Sequence, residues 1–122
     1  PTWRTSNVKK INIDIKTNGG IKSIEAWMPN VKSRLAVHRT TKVSAGLTKN
    51  DAWTVTHIES GIAAEFMRTK ADALRLARAF GNRTEWDLIS EDGDIRKFPR
   101  NVRREFIAFA DNITYGRPIV RF

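Results

Sequence analysis

Apolar and polar residues alternate with a period of two along five stretches of this 122-residue chain, the pattern of half-buried β-strands. In the first, Ile11, Ile13 and Ile15 oppose Lys10, Asn12, Asp14 and Lys16. Asn18-Gly19-Gly20 follows, residues that tolerate positive φ and suit a tight hairpin. The return strand sets Ile24, Ala26 and Met28 against Ser23, Glu25 and Trp27 until Pro29-Asn30 ends it. A third strand places Leu35 and Val37 on one side and Arg34, Ala36 and His38 on the other. Residues 44–51 lose this periodicity and read as a loop. In the fourth strand Trp53, Val55 and His57 alternate with Thr54, Thr56 and Ile58. Ser60-Gly61 then supplies a turn, and Ile62, Ala64 and Phe66 continue the alternation on the way back.

The period changes after residue 68. Ala73, Leu76, Ala77 and Phe80 fall on one face at helical spacing. Thr69 stands as N-cap with Asp72 three residues on, an arrangement that places an oxygen on an orphan N–H and a carboxylate near the positive helix end. Gly81 is the natural stop. Residues 85–98 are less regular: Trp86, Leu88 and Ile95 read as buried around an Asp92-Gly93 turn, in a second hairpin or in irregular chain. Pro99 suits the first turn of a second helix, whose apolar stripe is Val102, Phe106, Phe109, Ala110 and Ile113. The expected architecture is α+β: an antiparallel sheet of about five strands with two helices, about 69–80 and 100–113, packed mainly on one face. One domain spans 1–122, with a short N-terminal arm (1–7) and a C-terminal tail (116–122) that can add an edge strand.

Charge changes the picture more than composition does. Lys and Arg number 22 against 13 Asp and Glu, for a net charge of +9 and a pI near 10.5. The surplus is uneven: residues 1–50 carry ten basic and two acidic side chains, residues 51–98 seven and nine, and residues 99–122 five and two. A basic first half and a basic last helix around a near-neutral middle point to positive surfaces that meet nucleic acid, against the plainer reading of a solvated basic surface. The absence of cysteine excludes disulfides and thiolate metal sites. No apolar run approaches the roughly 18–20 residues that span a bilayer, and no apolar signal-type segment opens the chain, so a cytoplasmic location without membrane contact is the expectation.

Catalytic patterns are thin. His38 and His57 sit in separate strands without paired-ligand spacing. No Ser, Thr, Lys or Tyr nucleophile stands in a recognised frame. Glu85, Asp87, Glu91, Asp92 and Asp94 form the one carboxylate cluster. Such acids hold Mg²⁺ in nucleases, but acids that straddle a turn serve local backbone bonding just as well. The expectation is a non-enzymatic protein with no cofactor and no metal site, with a metal-dependent nuclease left open.

The binding candidates are basic and aromatic residues interleaved on strands, the arrangement with which sheets hold nucleic acid through phosphate neutralisation and base stacking. Lys9, Lys10, Lys22, Lys32, Arg34, Arg39 and Lys42 are the phosphate candidates and Trp27 the stacking one. Arg100, Arg103 and Arg104 join them, because cations in a first helical turn oppose the macrodipole unless an anion compensates; Glu105 or the acids at 91–94 are the compensators within the chain. The strand–turn–strand–helix run of residues 52–81, carried by Trp53, Val55, Phe66, Thr69, Ala73 and Ala77, resembles the three-stranded DNA-binding domains of phage-integrase arms and plant Apetala-type factors. That resemblance implies a sheet that enters the major groove of DNA through basic and aromatic side chains. The alternative from another class is a small protein-binding module or inhibitor that docks on an acidic protein partner, with exposed strand edges as its means.

Overall fold

The computed structural model describes residues 8–41 and 52–116. The five alternating stretches form β1 (Lys9–Thr17), β2 (Gly20–Met28), β3 (Leu35–Arg39), β4 (Trp53–His57) and β5 (Ile62–Met67), and the two helices are α1 (Lys70–Phe80) and α2 (Arg100–Tyr115). The strands make one antiparallel sheet in chain order. This is what short turns between antiparallel neighbours produce.

Both helices cover one face. Leu35, Val37 and Val55 point toward them and join Ala73, Leu76, Ala77, Phe80, Phe106 and Ala110 in the larger core. Side chains directly opposite in the ladder share a face, so the Val37–Val55 and Trp27–Val37 pairs place Trp27 on this side too. Thr69 caps α1 as its spacing predicts, accepting a 3.1 Å bond from the Asp72 amide. The helices run antiparallel: Arg68 at the start of α1 donates to the Thr114 carbonyl at 3.0 Å, and Arg83 beyond its end reaches Glu105.

The other face is partly covered by the chain's own first hairpin. β1 curls across until the Lys16 amide donates to the Gly61 carbonyl in the β4–β5 turn at 3.0 Å. Ile13, Ile15, Ala26 and Ala36 pack into a second, smaller core beneath it. The close approach depends on glycine. Gly61 has φ +71°, and a Cβ there would sit 2.7 Å from the Asp14 carbonyl oxygen.

Three local expectations are corrected. A register shift between Val55 and Thr56 breaks the alternation of β5, so Ala64 packs against the helix-side core while Phe66 lines a hollow on the opposite face. Of the two courses left open for residues 85–98, the irregular one is found: two short 3₁₀ turns, Thr84–Leu88 and Ile95–Lys97, carry the chain across. Trp86 is buried as expected, but Leu88 and Ile95 are each 50% exposed. Pro99 is the residue before α2 rather than part of its first turn, with extended ψ of 133°. The expected arm 1–7, loop 44–51 and, beyond Gly116, C-terminal tail lie outside the described residues, as do residues 42 and 43.

Candidate nucleic-acid interface

The sequence candidates in the first half divide by what they already touch. Arg34 is committed to the fold. Its guanidinium grips both carboxylate oxygens of Asp87, at 2.8 and 3.0 Å, and donates to the Asn82 carbonyl at 2.9 Å. That hydrogen bonding raises the arginine's pKa and lowers the aspartate's. Lys10 pairs with Glu25 across the hairpin at 2.8 Å. Arg39 lies over the Trp53 ring, 5.2 Å from its centroid. Trp27 meets Trp53 edge-on at 6.1 Å and carries the Lys70 ammonium 3.8 Å above its ring; both contacts are structural packing of an aromatic with a polar tip.

Lys9, Lys22 and Lys32 are exposed and make no ion pair among the described residues. They do not converge. Lys9 lies opposite Met28 and Lys22 opposite Ile15 in the β1–β2 ladder, near opposite ends of the hairpin, a separation of roughly 20 Å at the rise of a strand. Lys42 lies outside the described residues.

In the last helix the candidates do come together. Arg100, Arg103 and Arg104 occupy positions i, i+3 and i+4, which an α-helix places side by side on one face. All three are exposed. Four neighbouring carboxylates are directed elsewhere. Glu105 and Glu85 both hold Arg83, at 3.1 Å each; Asp94 holds Arg96 at 2.9 Å, and Asp92 faces Lys97 at 3.7 Å. These pairings lower the pKa of Glu85 through Arg83 and of Asp94 through Arg96; Asp92 is lowered chiefly by the Asp94 amide. Among the described residues no ion pair joins Arg100, Arg103 or Arg104.

Arg75 and Arg78 on α1 were not singled out by their sequence pattern, yet they too are exposed without an ion pair among the described residues. The Arg75 guanidinium lies 6.0 Å from the ring of Phe109 on α2, so α1 extends the basic surface of the helical layer. The signal was present, two cations on the polar face of an amphipathic helix, but only the antiparallel packing of the helices brings it beside α2.

Between β5 and the first half of α2 lies an open pocket of about 180 Å³, lined by Trp86, Phe98, Phe106, Ile107 and Ile95, with Arg103 at its wall. Its parts come from positions more than 40 residues apart, and no sequence pattern announces it. The acids at 85–94 do not converge on a cation site: no group of three or more potential metal ligands occurs among the described residues. Nothing there points to catalytic chemistry. No helix among the described residues is long and apolar enough to cross a membrane. Compared with protein families, curated proteins and solved structures, the chain gives no match.

Proposed function

We propose that this protein binds nucleic acid without catalysing a reaction on it, and that the first two turns of α2 are the principal phosphate-binding surface. The observation that carries the reading is the unneutralised row Arg100, Arg103 and Arg104, left without an ion pair among the described residues although five nearby carboxylates pair with other cations. Arginine suits phosphate because its planar fork offers paired donors and stays charged. The overall charge of +9 attracts a polyanion at longer range. Lys9, Lys22, Lys32, Arg75 and Arg78 are exposed secondary contacts in this reading. The resemblance of residues 52–81 to sheet-in-groove DNA-binding domains offers another mode of docking. The spare cations favour α2 over the sheet, because the face of β3–β5 away from the helices carries His38, Thr54, Thr56 and Phe66 rather than basic residues.

Fluorescence anisotropy with labelled DNA and RNA at several salt concentrations tests the proposal. Binding should weaken steeply with salt, and Arg100→Gln/Arg103→Gln/Arg104→Gln should lower the log–log slope by about 2–3, one lost phosphate contact per arginine. An unchanged affinity and slope in the triple variant would remove α2 from the interface.

A further inference from the structure

We propose that the pocket between β5 and α2 receives one nucleobase of a single-stranded nucleic acid, whose flanking phosphates lie on Arg100, Arg103 and Arg104. The inference rests on the nucleic-acid reading above and names the form of the ligand.

The pocket has the right size and walls. A cavity of about 150 Å³ lined by apolar side chains accepts a benzene ring, so 180 Å³ with an open mouth admits one planar ring system. Three aromatic rings build its inner wall: Trp86 stands 4.5 Å from Phe98 and 5.5 Å from Phe106, centroid to centroid. The indole N–H of Trp86 is spent on the Phe80 carbonyl at 2.8 Å, so what Trp86 offers the pocket is hydrocarbon surface. Ile95, half exposed, forms a lip.

Its charge arrangement distinguishes the base from the phosphate. Ala63, Ala64, Ile89 and Ile107 complete a mostly apolar lining that disfavours entry of an anion. Arg103 lies at the same wall, and Arg100 and Arg104 share its side of the helix. A ligand with a flat neutral ring inside and anionic groups outside satisfies both halves. A nucleotide within a single strand has that form, whereas a paired base in a duplex is stacked and cannot enter without being extruded. The other hollow of comparable size, between the first hairpin and β3–β5, is a poorer candidate. Its polar side chains bond one another, His38 with Thr56 at 2.7 Å and Thr40 with Thr54 at 2.9 Å.

The test compares a labelled dT 12-mer with an abasic 12-mer of the same phosphate count, using the full chain and Ile95→Ser, a neutral change at an exposed lip that leaves the folded core intact. The dT 12-mer should bind roughly 5-fold more tightly than the abasic strand, the lower end of base–aromatic stacking. Ile95→Ser should shrink that ratio while leaving abasic binding unchanged, and dT alone should quench tryptophan emission. Equal affinity for the two strands, both salt-dependent, would overturn the base pocket and leave the phosphate reading standing. Binding of neither strand at low salt would overturn both. Binding of an acidic peptide with one Phe or Leu, sensitive to Ile95→Ser and with no dT binding, would overturn the proposal in favour of a protein partner at the β5 edge.

Discussion

Replacing Gly61 with alanine should destabilise the protein by about 2–3 kcal/mol, more than its backbone conformation alone accounts for. An L-residue in the left-handed region costs roughly 1–2 kcal/mol, and Gly61 has φ +71°. The added Cβ would also meet the Asp14 carbonyl oxygen at 2.7 Å and the Ile15 Cα at 3.3 Å, backbone atoms that cannot rotate away. Strand β1 must then retreat, and the Lys16–Gly61 hydrogen bond is lost, a further loss of about 1 kcal/mol. Gly116→Ala is the control, because Gly116 has nearly the same φ, +76°, but open space where its Cβ would be. With a urea m-value of roughly 1.5 kcal/mol/M for a domain of this size, Gly61→Ala should lower the unfolding midpoint by about 1–2 M. Gly116→Ala, which carries the conformational cost alone, should shift it by about 0.7–1.3 M. Exchange of the Lys16 amide should quicken only in the Gly61 variant. Equal costs for the two substitutions would refute the reasoning, since the curl of the hairpin would then add nothing to stability.

Acid should weaken the fold in two stages. His38 and His57 are buried, and desolvation depresses the pKa of each; their contribution is fully present above the unfolded value near 6.5 and is lost as pH falls through the depressed folded values. Urea midpoints at pH 7.5 and 5 should show this loss, and His38→Gln/His57→Asn should flatten it. The depressed carboxylates Glu85, Asp87, Asp92 and Asp94 extend the loss below pH 4 as they protonate. Arg34→Ala should lower the melting temperature, because Asp87 and Asn82 lose their partner; Lys32→Ala, on a side chain with no ion pair among the described residues, should leave it unchanged in the same thermal scan.

Local rules read the local parts of the fold well. Thr69 and Asp72 announce the start of α1 because the cap bond spans three residues, and Asn18-Gly19-Gly20 sets the first hairpin for the same reason. The failures are non-local. Phe66 faces away from the helices because β5 shifts register against β4, a property of the pair that neither strand carries alone. Arg34 resembled a free cation in a basic run, yet its partner Asp87 is 53 residues away. Trp27 looked like a stacking surface because it stands near Lys22 and Lys32 in the sequence, and only the placement of α1 shows that Lys70 covers it. Ile95 read as buried because apolar residues usually are; a 3₁₀ turn holds it at the lip of the pocket instead.

The same distinction separates the cations that build the fold from those left to bind. Lys10, Arg34, Arg83, Arg96 and Lys97 each meet a carboxylate, and Arg39 and Lys70 lie over indole rings. Arg34, Arg83 and Lys70 tie together segments that the backbone ladder does not. Arg100, Arg103 and Arg104 do no such tying, and they stand where the helix dipole disfavours positive charge by a few tenths of a kcal/mol each, roughly, at an exposed site. A solubilising surface would carry its arginines as well anywhere else on the helix, and Glu105, one residue away in sequence, reaches across to Arg83 instead. Neutralising the row should therefore stabilise α2 slightly while weakening nucleic-acid binding. Opposite signs in those two measurements support a row maintained for an anion, because the loss of a merely structural contact would move both in the same direction.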